Sequence, residues 1–248
     1  MKSLLNNDAH LPTKSSTQDF EALYVAVRQK EQRIYSDKQL RQLPDIEASH
    51  VHYREWKIRK RSCEKLTAYL SRKNRPLKIL EIGCGNGWLA AKLALLKDTQ
   101  VTGLDINRVE IEQAESVFNM ENLRFVNAVF EPEHFRGNAF DVILFAASLQ
   151  YFSSAKEILQ KAMECLNDEG EIHIMDTHFY EPASVNDAAK RTKDYFTELG
   201  YPQLAAYYFH HTLKEIKEFS YTVLFDPNNL LNSLLKMSPF YWICIRKS

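Results

Sequence analysis

The feature that most constrains the fold is an alternation of short apolar runs with helical segments that starts at Leu77. The apolar runs predict strands at 78–82, 100–105, 123–127, 140–145 and 170–176. The segments between them predict helices near 87–97, 107–119 and 154–166. Strands that alternate with helices are typical of βαβ units, in which helices cover both faces of a parallel sheet. The sequence therefore predicts an α/β fold, built as a three-layer α/β/α sandwich.

The part of the chain before Leu77 lacks this alternation and has a helical pattern instead. Apolar residues at helical spacing predict one helix from about residue 18 to 33 and another over 49–71, and residues 1–15 are polar enough to be frayed. We therefore divide the chain into an N-terminal helical extension or cap, residues 1–75, and an α/β domain, residues 76–248. Beyond Pro182 the pattern predicts a helix near 184–199 and strands at 219–225 and 239–246.

Composition excludes several classes of protein. Lys plus Arg and Asp plus Glu both number 32, so the whole molecule lacks the positive field that attracts nucleic acids. No signal peptide and no stretch of roughly 18 apolar residues is present, which predicts neither export nor membrane insertion. The cysteines form no Cys-x-x-Cys pair, as expected of reduced thiols in the cytoplasm; they are Cys63, Cys84, Cys165 and Cys244.

A glycine-rich turn lies where the first predicted strand meets its helix. Three of the seven glycines in the chain, Gly83, Gly85 and Gly87, fall within five residues. Glycine permits positive φ and close approach of a ligand to the backbone, and the following helix offers unpaired N–H groups. The turn is therefore predicted to hold a small molecule.

The spacing within the turn narrows the class of ligand. A dinucleotide site requires a small residue at the sixth position from Gly83, where this chain has Trp88, and no Gly-Lys-Ser/Thr follows to form a P-loop. Glu81 stands two residues ahead of the first glycine. A carboxylate there would repel a diphosphate but attract an ammonium or sulfonium group. The turn thus predicts a cationic ligand.

The segment Glu81 to Gly87 resembles the first motif of the class I S-adenosylmethionine-dependent methyltransferases. Asp105 ends the second predicted strand about 20 residues later, where the family has an acid that accepts hydrogen bonds from the ribose. The resemblance implies a seven-stranded, mostly parallel sheet with an antiparallel last strand. It also implies an enzyme that uses S-adenosylmethionine and releases S-adenosylhomocysteine.

The same resemblance implies a set of cofactor-binding residues. They comprise the glycine turn, the ends of the second, third and fourth strands, and aromatic residues of a helix that closes over the cofactor. The implied residues are Glu81, Gly83, Cys84, Gly85, Gly87, Asp105, Ile106, Asn127, Ala128, Ala146, Tyr53 and Trp56. Tyr35 and Arg59 are further candidates for the closing helices.

Methyl transfer mainly requires alignment of donor and acceptor, so no catalytic triad is expected. A general base would assist a hydroxyl acceptor. His178 and Tyr151 follow predicted strands at the carboxyl edge of the sheet and are the candidate catalytic residues. A metal site that joins His178 to His210 and His211 is disfavoured because nothing fixes their spacing, and no metal is predicted.

Three functions remain open from the sequence. The first is methylation of a small molecule, with no nucleic-acid partner and an undetermined oligomeric state. The second is an RNA or protein methyltransferase that docks through residues 54–75, where nine basic residues stand against two acidic ones. The third is an inactive binding module of the same fold, which the intact turn and Asp105 disfavour.

Overall fold

A computed structural model of the protein describes residues 14–137, 139–230, 232 and 238–247. The described residues include seven α-helices, with short 3₁₀ turns between later elements. The helices are α1 (Lys14–Lys30), α2 (Asp37–Gln42), α3 (Tyr53–Ser71), α4 (Trp88–Ala94), α5 (Arg108–Val117), α6 (Ala155–Glu164) and α7 (Val185–Glu198).

A single seven-stranded sheet forms the middle layer, in the order β3-β2-β1-β4-β5-β7-β6. Strands β1 to β5 pair in parallel, whereas β7 runs antiparallel between β5 and β6. The predicted fold class is confirmed. The strands are β1 (Leu77–Ile82), β2 (Thr99–Asp105), β3 (Leu123–Asn127), β4 (Phe140–Ala146), β5 (Leu166–Thr177), β6 (Tyr221–Phe225) and β7 (Tyr241–Arg246).

The strands read as almost continuous apolar runs because both faces of the sheet are covered. In β1, Ile79 packs with Trp56 and Leu66 on the face covered by α3 and α4. The next residue, Leu80, packs on the opposite face, which α6 covers through Leu159. Two apolar layers therefore fix the sheet between helices.

Two details differ from the sequence expectation. The strand predicted at 170–176 begins earlier, because β5 starts at Leu166 and contains an irregularity: Phe140 pairs with Leu166, but Val142 pairs with Glu171. The short helix α2 was not predicted, although the Ser36 hydroxyl accepts from the backbone N–H of Gln39 in a capping box. The expectation for residues 1–15 falls almost wholly outside the described residues.

Membrane insertion finds no support in the helices. Across the described ranges, every helix is too short or too polar to cross a bilayer.

Candidate active site

A cavity of about 310 Å³, here called the inner cavity, opens at the carboxyl edge of the sheet. This is the edge where open α/β sheets bind ligands. Its floor consists of the glycine turn and the residues that end β2, β4 and β5, and its roof comes from α1 and α3. The volume lies at the lower end of the range for small-molecule sites.

The glycine turn is held by the backbone of β2, and its first glycine is needed for close packing. The N–H groups of Gly83 and Cys84 both donate to the carbonyl of Leu104, at 2.8 and 3.0 Å. Gly83 has φ +75°, and a Cβ there would lie 2.5 Å from the Cβ of Ser148. Any side chain at this position would therefore push the turn away from the loop that follows β4.

The last glycine of the turn has a different purpose from the one the sequence suggested. Gly87 has φ +73°, and a Cβ there would lie 2.4 Å from the ring of Phe125. Gly87 is not among the residues that line the inner cavity. Its lack of a side chain lets α4 pack on β3 rather than admitting a ligand.

Two acids face the cavity beside the second glycine. Asp105 accepts hydrogen bonds from the N–H groups of Gly85 and Asn107, each at 2.8 Å. Each of its carboxylate oxygens keeps a further lone pair for a ligand. Glu110, on the first turn of α5, also lines the cavity. Burial raises the pKa of both carboxyl groups, and the nearby Arg28 guanidinium opposes the rise.

Glu81 is the most unusual acid in the cavity. Its side chain is 2% exposed, and its Oε2 atom has no hydrogen-bond partner among the residues that the structure describes. Burial raises the pKa of the carboxyl to about 8, and Asp105 adds to the rise. A buried polar atom without a partner is costly unless a ligand satisfies it. Glu81 is therefore arranged to accept a hydrogen bond from a ligand. A cationic donor would offset the cost of burying this carboxyl group more than a neutral donor would.

Strained backbone surrounds the ends of β4 and β5. Ala147 has φ +54° and Asp176 has φ +52°, a conformation that residues with side chains rarely adopt. Both residues line the inner cavity. Asp176 accepts a hydrogen bond from Ser62 of α3 at 2.6 Å, and burial raises the pKa of its carboxyl. The strained turn aims this acid into the cavity.

The roof of the cavity is aromatic and basic. Phe20 and Tyr24 of α1 line it together with Trp56 and Arg59 of α3. The Trp56 indole donates to the hydroxyl of Tyr35 at 2.6 Å, and the Arg59 guanidinium lies 5.4 Å from the Trp56 ring centre. The N-terminal helices thus complete the walls of a site that the sheet alone would leave open.

Most of the residues implied by the sequence come together. The inner cavity is lined by nine of them, including the candidate Tyr151. These are Glu81, Gly83, Cys84, Gly85, Asp105, Ile106, Ala146, Trp56 and Tyr151.

Five implied residues lie outside the cavity: Tyr53, Gly87, Asn127, Ala128 and His178. The Asn127 side-chain amide donates to the carbonyls of Asp105 and Ile106, at 3.1 and 2.9 Å. The Ala128 N–H also donates to the Asp105 carbonyl, at 3.1 Å. Asn127 and Ala128 therefore support the end of β2 from behind.

The histidines of the disfavoured metal site point to separate partners. The exposed His178 ring lies 4.7 Å from the ring of Phe240. His210 contacts the Thr192 hydroxyl at 2.8 Å, and His211 contacts the Glu215 carboxylate at 3.0 Å. The residues of this disfavoured site therefore do not converge.

One group of potential metal ligands does converge in the described part of the chain: Glu171, His173 and Cys244. The indole of Trp242 donates to His173 Nδ1 at 3.1 Å, and Nε2 lies 3.3 Å from Glu171. Glu171 also pairs with Lys73 at 2.8 Å. Because Nδ1 accepts from Trp242 and Glu171 pairs with both Lys73 and Arg246, this cluster is an ion-pair network that ties α3 to the sheet.

Several basic residues of the stretch at 54–75 form ion pairs within the molecule. Four of its cations pair inside the molecule: Arg59 with Glu55, Lys60 with Asp45, Lys73 with Glu171, and Arg75 with Asp141. Lys65 lies 3.9 Å from the ring centre of Phe225. These contacts account for much of the charge that suggested a docking face, and docking of RNA or protein there stays a prediction.

Several cavity residues were missed by sequence reasoning. Glu110 is an acid in the first turn of a helix, a position where acids are common for reasons of helix stability alone. Tyr24 and Arg28 are four residues apart on α1, and the Arg28 guanidinium donates to the Tyr24 hydroxyl at 2.6 Å. Nothing in a single sequence says that a helix some 60 residues before the glycine turn folds over it.

Comparison with known proteins agrees with this arrangement. The profile of a family described as "Methyltransferase domain" matches residues 79–170, which include the glycine turn, Asp105 and Glu110. Residues 79–170 are thus similar to a methyltransferase domain. The matched segment contains most of β1 and all of β2, β3 and β4.

Solved structures share the fold of the methyltransferase domain and its surroundings. The plantazolicin methyltransferase BpumL, in complex with a pentazolic substrate analogue and S-adenosylhomocysteine, has a TM-score of 0.56 and 20% identity, over 95% of this chain and 100% of its own. Magnesium protoporphyrin IX methyltransferase from Synechocystis PCC 6803, with bound S-adenosylhomocysteine, has a TM-score of 0.61 and 15% identity, over 94% and 99%.

Curated relatives match the chain only in part. A malonyl-[acyl-carrier protein] O-methyltransferase of Bacillus anthracis is 26% identical over 117 residues, 46% of this chain and 43% of the relative. The 27-O-demethylrifamycin SV methyltransferase of Amycolatopsis mediterranei is 24% identical over 166 residues, 61% of this chain and 60% of the relative. The chain thus spans about half the length of these curated relatives.

Proposed function

We propose that this protein is an S-adenosylmethionine-dependent methyltransferase that acts on a small-molecule acceptor and releases S-adenosylhomocysteine. The observation that carries the proposal is the buried Glu81 carboxylate, which has an unpartnered oxygen beside the glycine turn of a methyltransferase domain. The names of the partly matching relatives, which include two O-methyltransferases, support the reaction class.

The charges in the inner cavity fit this cofactor. Four acids line it, Glu81, Asp105, Glu110 and Asp176, together with three arginines, Arg28, Arg33 and Arg59. The cofactor carries an ammonium and a sulfonium group for the acids and a carboxylate for an arginine. A diphosphate beside the glycine turn would instead face the carboxyl groups of Glu81 and Asp105. The acidic floor therefore favours a cationic nucleoside over a dinucleotide.

Each part of the cofactor has a suitable partner among the lining residues. We assign the ribose hydroxyls to Asp105 and Glu110, and the ammonium group to Glu81. Arg59, which reaches the cavity from α3, is assigned to the cofactor carboxylate. Apolar Phe130 is assigned to the adenine ring.

When bound, the cofactor would supply a methyl carbon on a cationic sulfur. A lone pair of the acceptor would form the new bond to this carbon while the S–C electrons return to sulfur, and the acceptor proton would leave to solvent or a base. The chain's own contribution is positioning and exclusion of water. Phe20, Trp56 and Tyr207 form an apolar cover over the cavity. Of the two predicted catalytic residues we retain Tyr151, because it lines the cavity and His178 does not.

Residues 1–75 are proposed to act as the cap of a methyltransferase unit at 76–248. The contacts of α1 and α3 with the inner cavity support this division. We also place the protein in a reducing cytoplasm, because all four cysteines are free and buried.

Calorimetric titration tests the proposal. Wild-type protein is titrated with S-adenosylmethionine, S-adenosylhomocysteine and NAD⁺, and the Asp105→Ala and Asp105→Asn variants are titrated in parallel. We expect both nucleosides to bind, NAD⁺ to give no heat, and Asp105→Ala to weaken binding at least tenfold through lost charge-assisted hydrogen bonds. Circular dichroism and the exposed control Glu112→Gln separate this effect from misfolding. Unchanged affinity in Asp105→Ala, or preferential binding of NAD⁺, would reject the assignment.

A further inference from the structure

A second cavity of about 340 Å³, here called the outer cavity, adjoins the inner one. It lies between α1 and α7, and Phe20, Tyr24 and Tyr151 line both cavities. A molecule in the outer cavity would therefore reach the proposed cofactor site past these shared rings. This is the place in the described structure where an acceptor has room beside the cofactor.

The wall of the outer cavity is aromatic. Eight of its twenty lining residues are tyrosine or phenylalanine. The Tyr151 ring lies edge to face with two others, 6.0 Å from Tyr24 at 80° and 5.8 Å from Tyr208 at 80°. Rings in this arrangement pack best against another ring, to which they offer both faces and edges. The wall thus favours a planar aromatic guest.

The charges of the outer cavity favour an anion over a cation. Four arginines and two glutamates line it, and arginine stays protonated in proteins. Both glutamates are already engaged. Glu55 accepts two hydrogen bonds from Arg33, at 2.8 and 2.6 Å, and pairs with Arg59 at 2.9 Å. Glu31 lies 3.2 Å from Arg33 and accepts from the Tyr195 hydroxyl.

One of the four arginines has no acidic partner. Arg191 of α7 lines the outer cavity only, and within the described residues it makes no ion pair or hydrogen bond. An aromatic amine would meet this surplus positive charge, whereas a carboxylate would be attracted by it. The guanidinium fork also matches a carboxylate in a bidentate geometry.

We propose that the outer cavity binds the methyl acceptor and that the acceptor is a planar aromatic carboxylate. Its ring lies among Tyr24, Tyr151 and Tyr208, and its carboxylate contacts Arg191. Because Arg191 does not line the inner cavity, the carboxylate anchors the acceptor and a group at the opposite end of the ring receives the methyl group. This inference rests on the proposed methyltransferase function.

Three probes that share one ring and one chain length test the inference: 3-(4-hydroxyphenyl)propionate, its carboxamide, and 3-(4-hydroxyphenyl)propylamine. Each is titrated calorimetrically into protein saturated with S-adenosylhomocysteine. We expect the acid to bind at least tenfold more tightly than the amide, because a charge-assisted pair is stronger than a neutral hydrogen bond. We expect the amine to bind most weakly.

Arg191→Gln supplies the decisive variant, and Lys190→Gln, its exposed neighbour on α7, supplies the matched control. In Arg191→Gln the advantage of the acid over the amide falls to about threefold or less while the affinity for the amide is unchanged. Lys190→Gln leaves both affinities as in the wild type. Equal binding of acid and amide, tightest binding of the amine, or identical behaviour of the two variants would overturn the inference.

The titration with S-adenosylhomocysteine comes first, so that failure of the proposed function can be told apart from failure of the acceptor assignment. If this nucleoside does not bind, the proposed function itself fails. If it binds and the aromatic acid does not, the methyltransferase proposal stands and the assignment of the outer cavity is lost.

Discussion

Glu81 shows how one residue can link stability to ligand recognition. Its carboxyl group is 2% exposed at the end of β1, with Oε2 unpartnered. Without a ligand, burial holds its pKa near 8, so the group is mostly protonated at neutral pH. A cationic ligand would reverse this preference and draw the proton off.

The pH dependence of stability tests this view of Glu81. The folded pKa of about 8 exceeds the usual 4.5, so the stabilising effect is complete below pH 4.5 and is lost as pH rises through 8. We expect this group to cost the ligand-free protein on the order of 3 kcal/mol of unfolding free energy between pH 5 and 8. Urea titrations of wild type and Glu81→Gln at both pH values measure it. Equal pH slopes in the two proteins would contradict the account.

Glu110 permits a matched comparison on a single helix. Glu110 lines the inner cavity, whereas Glu112, two residues later, is exposed and pairs with Arg108 at 3.5 Å. We expect Glu110→Gln to weaken binding of S-adenosylhomocysteine about tenfold through loss of a charge-assisted hydrogen bond, and Glu112→Gln to leave it unchanged. Calorimetry measures both affinities; equal losses would place the ribose elsewhere.

Sequence reasoning reached the residues whose roles follow from local spacing. Asp105 was found from the family resemblance, and its spacing from the glycine turn agrees with a βαβ unit. Glu110 and Arg28 were missed because their roles depend on which face of a helix meets the cavity. Gly87 and Asn127 were predicted to contact the cofactor, but both lie outside the inner cavity. Gly87 instead leaves room for the Phe125 ring, and Asn127 donates to the Asp105 carbonyl.

At the scale of elements, α1 is fixed to α5 by a helix-terminus contact. The Glu21 carboxylate accepts a hydrogen bond from the N–H of Arg108 at 2.7 Å, at the first residue of α5. A carboxylate at a helix N-terminus satisfies an unpaired N–H and meets the positive end of the helix dipole. Glu21 therefore holds the roof over the inner cavity.

Hydrogen exchange tests this attachment. We expect Glu21→Gln to lose about 0.5 to 1 kcal/mol of docking energy, so that amides across α1 exchange roughly two- to fivefold faster. Glu115→Gln, an exposed position on α5, is the control. Exchange in α1 that is identical for Glu21→Gln and the wild type would show that other contacts fix the helix.

Element boundaries were predictable where apolar runs are flanked by turn residues. The first four strands and helices α4 to α7 lie within a few residues of their predicted positions. The strand β5 was predicted short because Asn167 to Gly170 has turn composition, whereas the pairing of β4 with β5 continues across those residues as an irregularity. Tertiary pairing there overrides local preference.

On the scale of the whole molecule, the sheet order places the glycine turn in the middle of the sheet. β1 lies between β2 and β4, so the turn after it meets the ends of both neighbouring strands. The alternation of strands and helices predicted this layered fold, but the antiparallel last strand came from family resemblance. The two adjoining cavities were beyond the sequence, because they depend on how α1, α3 and α7 fold over the sheet edge.

Thermal unfolding with and without a ligand tests whether the whole fold is stabilised by the proposed cofactor product. At a concentration 100 times its Kd, S-adenosylhomocysteine is expected to stabilise the fold by about 2.7 kcal/mol and to raise Tm by about 5 to 10 °C. Differential scanning calorimetry measures the shift, with adenosine diphosphate as the control that should leave Tm unchanged. A larger shift with the diphosphate would contradict a site built for a cation.

The central claim is that the inner cavity holds a cationic nucleoside between Glu81 and Asp105. A crystal structure of the complex with S-adenosylmethionine tests it most directly. We expect the cofactor in the inner cavity, with its ribose hydroxyls on Asp105 and its ammonium group within hydrogen-bond distance of Glu81 Oε2. Density for the cofactor outside this cavity, or inside it with the ribose away from Asp105, would contradict the account.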